Sequence, residues 1–349
     1  MASKLLEREL GSITFAANQT RTLQLPRNYA YRGLCLKLVC NLTRTTTAGT
    51  DISDPCDCAP AQLVQNLQVI ANGRDVIKNI DFETLHRANQ IRRGVRPYIS
   101  SLLWAAGADS AARDLVIYAY ISFEMWRAIH PVDTLFDSAG LATFDLIVTF
   151  GTGMDTMLPA WQARAGAQVT VNSATLYVSA LEEVGIPAGT SFLVSKEYKL
   201  RRQVTATSNN FQIDIPVGNA FRSFILKTIS DGAPVNTILN NIKIKSGTEV
   251  YKNRIASFMQ MDNRLFNQLE VPSVLAAQGT AQDHYLVENL LEGYYLIEFC
   301  PDGFLTQALD TTRLSSLEFE LDVTVRGTVD YIEVIPCELI RPPQVAVAK

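Results

Sequence analysis

Leu23-Gln24-Leu25-Pro26, followed by Arg32-Gly33-Leu34-Cys35-Leu36, is answered far downstream by Ile213-Asp214-Ile215-Pro216 and Arg222-Ser223-Phe224-Ile225-Leu226. Ala71-Asn72-Gly73-Arg74-Asp75-Val76 returns as Lys245-Ser246-Gly247-Thr248-Glu249-Val250. Asp137, Leu141, Phe144, Leu146 and Val148 return as Asp310, Leu314, Leu317, Phe319 and Leu321. The spacing between partners is 190 residues at Pro26/Pro216, 174 at Gly73/Gly247, 173 at Asp137/Asp310 and 156 at Leu176/Ile332. Chance matches would scatter in spacing; these keep their order and shorten stepwise. The chain therefore holds two copies of one unit, the first longer by inserted loops around Thr45–Pro60 and Gly151–Gln168.

The repeated segments read as strands. Leu34, Leu36 and Leu38 alternate with Cys35, Lys37 and Val39, and Phe144, Leu146, Val148 and Phe150 alternate with polar or small residues. Leu317, Phe319, Leu321 and Val323 do the same, and Leu115, Ile117, Ala119, Ile121 and Phe123 form one face of a further run. Period-two alternation buries one face of each strand. Asn72-Gly73 is a strong hairpin signal, because a type I′ turn needs positive φ at both central positions. One helix follows the hairpin in each copy. The first opens at Asp81, a capping residue, with Phe82, Leu85, Ala88 or Asn89 and Ile91 near helical spacing. The second is predicted over Ile255–Leu269, with Phe258, Met261 and Leu265 as its apolar stripe; Asn89 aligns with Asn263, and Ile121, Phe123 and Met125 with Tyr295, Ile297 and Phe299.

About eight strands per copy, frequent turns and no βα alternation predict an all-β chain of two tandem eight-stranded jelly rolls, each with a short helix between its early and late strands. The expected boundaries are an N-terminal arm over 1–20, a first roll over 21–184, a linker over 185–190, a second roll over 191–340 and an extended tail over 341–349. In the arm, Ser3 is placed to cap a short helix carrying Leu5, Leu6 and Leu10 on one face, with the cations Lys4 and Arg8 offset by Glu7 and Glu9.

Composition narrows the function. With 31 Lys+Arg against 35 Asp+Glu, the 349-residue chain lacks the positive excess of a nucleic-acid coat, and Arg92-Arg93 and Arg201-Arg202 read as solvated surface. The charged fraction, 19%, is low, as expected of a chain that hides surface against copies of itself or encloses two large cores. No run reaches the length of a membrane span, and residues 1–10 lack the apolar core of a secretory signal. Of six cysteines, only Cys56 and Cys58 fall in a polar loop, and a lone C-x-C is not a zinc spacing; all six are expected reduced.

Catalytic constellations are missing. His86, His130 and His284 are isolated, Glu182-Glu183 and Asp145 read as solvated strand faces, and Gly151-Thr152-Gly153 lacks the Lys-Ser/Thr ending of a phosphate loop. Asp51, Asp54 and Asp57 are weak candidates for Ca²⁺, without the EF-hand pattern. No cofactor and no enzymatic activity are expected.

The tandem rolls with their helices, the segment Leu67–Ile80 leading into Asp81, and Leu309–Leu321 resemble the double-jelly-roll major capsid proteins of tailless icosahedral viruses, the lineage of tectiviruses, corticoviruses and adenovirus hexons. The resemblance spans about residues 20–340, and the short loops favour a bacterial virus. It implies a structural subunit that trimerises into pseudo-hexameric tiles of a virion shell over an internal membrane. Further partners would be penton and minor capsid proteins, without sequence-specific binding of nucleic acid, and assembly would occur in the host cytoplasm. It also implies that the arm residues Lys4, Leu5, Leu6, Arg8 and Leu10 lie on the inner, membrane-proximal side. Two readings of other classes remain. One is a sandwich-fold carbohydrate- or receptor-binding protein presenting Trp104, Trp126 or Trp161. The other is a double-cupin metalloenzyme, which three scattered histidines supply poorly.

Overall fold

A computed structural model describes residues 4–45, 58–100, 112–128, 130–163, 166–186, 192–266 and 292–342. The chain divides into two compact units, residues 1–89, 96–196 and 341–349 in the first, and 90–95 and 197–340 in the second.

The first unit contains β1 (Lys4–Thr14), β2 (Thr20–Gln24), β3 (Ala30–Thr45), β4 (Val64–Ala71), β5 (Asp75–Ile80), α1 (Phe82–Arg93, whose last turn groups with the second unit), β6 (Arg113–Ser122), β7 (Phe136–Asp137), β8 (Phe144–Phe150), α2 (Pro159–Gln162), β9 (Gln168–Val184) and β10 (Val194–Glu197). One sheet has the order β1-β9-β3-β6, with β7 paired to β3; the other has the order β2-β8-β4-β5, with β10 added at β5. The second unit contains β11 (Leu200–Val204), β12 (Ser208–Ile215), β13 (Ala220–Ser230), β14 (Ala233–Pro234), β15 (Leu239–Ser246), β16 (Glu249–Ile255), α3 (Ala256–Phe266), β17 (Tyr294–Glu298), β18 (Leu309–Asp310), β19 (Leu317–Val323) and β20 (Asp330–Ile340). Its sheets are β11-β20-β13-β17, with β14 and β18 on β13, and β12-β19-β15-β16. The two orders are the same list of equivalent strands. Among the described residues each unit is a jelly roll of eight equivalent strands with two further ones: β1 or β11, laid on its last strand, and β10 or β14.

The equivalence reaches single irregularities. The β3/β9 ladder shifts register between Tyr31 and Gly33, and the β13/β20 ladder shifts between Phe221 and Ser223. Bulges between Val64 and Asn66 in β4 and between Leu239 and Asn241 in β15 also correspond, as do those at Val69/Ile70 and Ile244/Lys245. A bulge bends and twists its strand, so matched bulges give the two rolls the same curvature. The hairpins β4–β5 and β15–β16 are equivalent, but their turns differ by one residue. Asn72 and Gly73 both have positive φ, as a type I′ turn requires, whereas only Gly247 does so in the second turn.

Within each roll the inner faces of the two sheets meet. Tyr31 of one sheet sits edge-on to Phe144 of the other with ring centroids 5.1 Å apart, and Phe224 meets Phe319 at 5.2 Å. The alternating burial of β8 and β19 is the pattern read from their sequences.

Helices α1 and α3 are each tied to a strand by an asparagine. The Asn89 side chain donates to the Tyr120 carbonyl (2.8 Å) and accepts from the Tyr120 N–H (2.7 Å). Asn263 does the same at Leu296, at 2.8 Å for both bonds. These bonds put Tyr120 opposite Leu296, so the true spacing in this strand is 176 residues, and Phe123 matches Phe299 rather than Ile297. The expected alignment was two residues out; a shift of two keeps every side chain on its face, so alternation alone does not expose it. Asn263 also decides which side of α3 points inward. Ala256, Met259 and Asn263 are buried, while Phe258, Met261 and Leu265, the expected inward stripe, face out.

Other expectations are corrected. The arm is not a helix: residues 4–14 form β1, paired with β9 from Lys4↔Val184 to Thr14↔Thr175. Helix nucleation is costly for so short a segment, and the exposed edge of the 17-residue β9 offers it a ladder instead. Residues 192–196, expected in the second roll, belong to the first unit, where β10 joins β5. The Gly151–Gln168 insertion is not merely surface: Gly153, Thr156 and Met157 are buried, and the 3-10 turn Gly153–Thr156 packs on the 3-10 turn Ala59–Leu63. Of the Thr45–Pro60 insertion, residues 46–57 lie outside the described ones, as does the tail from 343 on.

Gly33 shows how the copies diverge. A Cβ there would stand 2.2 Å from the Tyr120 ring and 2.6 Å from the Ile121 carbonyl oxygen. In the second roll the matched residues are Ser223 and Leu296. Gly33→Ser should lower stability by about 1–3 kcal/mol in urea unfolding, and adding Tyr120→Leu should restore part of the loss. Additive effects of the two substitutions would contradict this packing.

Candidate functional site

The polar groups that resemble catalytic candidates are committed to structure. Asp81 accepts from the Thr84 N–H at 2.7 Å and caps α1. His86, on the buried α1, points its Nδ1 at the Tyr118 carbonyl at 2.7 Å, and Arg96 donates to its Nε2 at 3.4 Å. That arrangement fixes the Nδ1–H tautomer. Burial pushes the imidazole down to about 4, against the pull of the Tyr118 carbonyl and aided by the Arg96 charge, so His86 is neutral at pH 7 and is not set to exchange protons there. His130 is exposed, and His284 lies outside the described residues.

Glu182 and Glu183 are not solvated. Both are buried, Glu182 with Arg8 of β1 at 2.6 Å and Glu183 with Arg32 at 2.7 Å. Burial, with the Glu182 charge added, pushes the Tyr31 phenol up, and Tyr31 donates to the Pro26 carbonyl at 2.7 Å. Arg32 and Arg222 occupy the matched bulges, and each reaches an acid at or just past the end of the neighbouring strand: Arg32 to Glu124 at 3.6 Å, Arg222 to Glu298, the last residue of β17, at 3.5 Å. In the second unit Arg201 holds the buried Glu333 at 2.6 Å, so Arg201 is an ion-pair partner, and Arg92 is buried rather than solvated. The repeated Asp-x-x-x-Leu signal is a turn. Ser138 and Thr311 each donate to a carbonyl, Tyr29 and Asn219, while Asp137 and Asp310 accept from Ala139 and Thr312, both at 2.9 Å.

The remaining candidates do not converge on a centre. Asp51, Asp54, Asp57 and Cys56 lie outside the described residues; Cys58, expected in a polar loop, is buried, with an Arg96 nitrogen 3.6 Å from its sulfur. Cys35, Cys40, Cys58, Cys300 and Cys337 are free thiols, and burial pushes Cys40 and Cys300 up to about 12. Among the described residues no three His, Cys, Asp or Glu side chains gather to hold a metal, and no helix is long and apolar enough to cross a membrane. Gly151-Thr152-Gly153 leads into a capping box, in which the Thr152 N–H and hydroxyl both donate to Asp155 Oδ2, at 2.6 and 3.0 Å. Trp126 is core, and Trp104 lies outside the described residues.

What the chain does present is surface. On β1, Leu5 and Leu6 are exposed, Lys4 is exposed, Arg8 is held by Glu182 and Leu10 is half-buried. On the first roll, Lys37 lies over the Tyr118 ring at 5.8 Å, and Tyr98 meets Tyr118 at 6.0 Å. On α3, Phe258, Met261 and Leu265 form an exposed apolar stripe that sequence periodicity assigned to the core.

No family model and no curated protein matches the sequence. Solved structures match its fold over its whole length. The STIV MCP, of Sulfolobus Turreted Icosahedral Virus, superposes with a TM-score of 0.73 at 15% identity, covering 99% of this chain and 100% of that one. The major capsid protein P2 of bacteriophage PM2 gives 0.59 at 12% identity, over 97% and 98% of the two chains. A PBCV-1 virus capsid chain gives 0.61 at 9% identity, over 97% and 96%. This chain has the double-jelly-roll fold of those major capsid proteins.

The buried neutral His86 makes stability depend on pH. Its folded value lies below the usual 6.5, so its contribution is complete above about pH 6.5 and is lost as pH falls towards 4. The urea midpoint gap between wild type and His86→Gln should shrink between pH 7 and pH 4.5. A gap unchanged across that range would contradict the assignment.

Proposed function

We propose that this protein is a major capsid protein, the structural subunit of a tailless icosahedral virus shell, and that three chains associate into a pseudo-hexameric tile. The observation that carries the reading is the equivalence of the two rolls, in strand order and at three matched bulges, in a fold shared end to end with viral major capsid proteins. Two equivalent rolls per chain fill two of six similar positions, and three chains fill all six. The contact that closes the ring joins unlike surfaces of neighbouring chains, which a cyclic trimer satisfies without an open end. The low charged fraction fits a subunit that buries much of its surface in a lattice.

On this reading the chain has no enzymatic activity. Glu182 and Glu183 are held in ion pairs and the buried His86 is neutral, which supports that view. The bacterial host, penton and minor proteins as partners, an internal membrane and assembly in the host cytoplasm belong to the same reading. The Leu5-Leu6 end of β1 would serve as a short apolar clip on a neighbouring subunit or a membrane. The opposed charges of Lys4, Glu7, Arg8 and Glu9 make attraction to anionic lipid weak.

Light scattering of the purified protein at micromolar concentration should give three times the 38.6 kDa chain mass. A stable monomer would count against the trimer, and robust hydrolase or oxidase turnover would end the capsid reading.

A further inference from the structure

One row of side chains on the first roll carries a cation without its acid. Ser12 of β1, Tyr177 of β9, Lys37 of β3 and Tyr118 of β6 stand opposite one another across four strands. The Tyr98 carbonyl accepts from the Tyr118 N–H at 3.0 Å, and the two rings meet edge-on. Directly opposed residues share a face of the sheet, so the row points one way. Tyr98, Tyr118 and Tyr177 are exposed at 63%, 37% and 49%. Lys37 lies over the Tyr118 ring at 5.8 Å; among the described residues it makes no ion pair, and the three phenol hydroxyls have no hydrogen-bond partner. Two acids share the face without answering Lys37. Asp114 accepts from Asn41 at 2.7 Å, and Glu9 stands opposite Ser179, in the next row.

The second roll shows what such a lysine takes. Lys227 matches Lys37 and Tyr294 matches Tyr118, and the cation again lies over the ring, at 5.5 Å. There the adjoining strand sets Glu333 opposite Lys227, where the first roll has Tyr177. The lysine–tyrosine pair is common to both rolls, and the first lacks the carboxylate.

We infer that the Tyr177–Lys37–Tyr118 row binds a short acidic glycan, with the Lys37 ammonium taking a sugar carboxylate and the flanking rings taking the flat C–H faces of the adjacent sugars. The inference goes beyond the capsid reading and does not rest on it. Neighbouring side chains in the row are about 4.8 Å apart from strand to strand, close to the length of one pyranose unit, so ring, cation and ring match three successive sugars. Tyrosine presents an apolar face and a polar tip at low cost in side-chain entropy, which suits a ligand with C–H faces rimmed by hydroxyls. The exposed parts of the three rings offer about 300 Å², well short of the roughly 800 Å² that each partner buries in a stable protein pair. Single-stranded nucleic acid also stacks on rings, but its phosphates call for a positive groove, and this row has one cation.

Calorimetric titration of the full-length protein with trigalacturonate tests the inference, with the methyl ester of the same trisaccharide as the uncharged control. The acid should bind at least tenfold more tightly than the ester, and added salt should narrow the gap. Lys37→Gln should bring the acid down to the ester's affinity and leave the ester unchanged. Tyr177→Glu, which gives the first roll the acid of the second, should also remove the preference for the acid, with far-UV circular dichroism unchanged. If Tyr177→Glu does not fold, Lys37→Gln decides alone. No binding of trigalacturonate, equal binding of the ester, or an acid preference that survives Lys37→Gln would overturn the site. Tighter binding of triglutamate, or of vesicles containing phosphatidylglycerol, would overturn the glycan as its occupant. A monomeric protein that binds trigalacturonate in this way ends the trimer reading and leaves this one standing.

Discussion

The long antiparallel pair at the centre of each roll, β3 with β9 and β13 with β20, is the constraint on which the rest hangs. Both ladders shift register at the matched positions Arg32 and Arg222, the first ladder again between Asn41 and Leu42, and the extra residue bends the strand. On one side of the shift the pair carries β6 or β17; at its other end it carries the short strands β7 or β18, whose aspartate turns hold the chain reversal. The bulge also aims an arginine at an acid near the end of the neighbouring strand, Glu124 or Glu298. Paired and hydrogen-bonded charges are tolerated in such half-buried sites, whereas either partner left alone would be costly. The ion pairs thus mark the bulge in both copies, and they are structural.

Much of this was legible in the residues. Period-two alternation located the strands, and the stepwise change in spacing located the insertions. Asp81 gave the start of α1, and Asn72-Gly73 gave the first hairpin. What escaped was whatever depends on hydrogen bonds between distant segments. Residues 4–14 carry weak helical spacing, and only the free edge of β9 makes them a strand. The inward face of α3 is chosen by the bond from Asn263 to Leu296, against the stronger hydrophobic pattern of Phe258, Met261 and Leu265. The slip of two residues at β17 is invisible to alternation, because both alignments bury the same face. Glu182-Glu183 reads as solvated until Arg8 and Arg32 arrive from elsewhere in the chain.

Glu182, Glu183 and His86 were legible as chemistry-bearing residues, but the ion pairs and the carbonyl contact that hold them were not. The surfaces that matter to an assembling protein are recognised by exposure, which sequence reports poorly. An exposed Phe258 and a buried Phe224 look alike in a list of residues; the difference lies in which neighbour the fold supplies. Here the comparison between copies is informative. Where the two rolls agree, at bulges, capping turns and helix asparagines, the shared features serve the roll itself. Where they differ, at Gly33 against Ser223 or at the outer faces of α1 and α3, the differences point to different surroundings for the two rolls.

The central claim is that the two rolls are equivalent parts of one tile. Cryo-electron microscopy of particles formed by the expressed protein tests it most directly. The account predicts hexagonal tiles of three chains each, with six rolls around a local threefold axis. Tiles of any other chain number, or a soluble protein that never forms tiles, would contradict it.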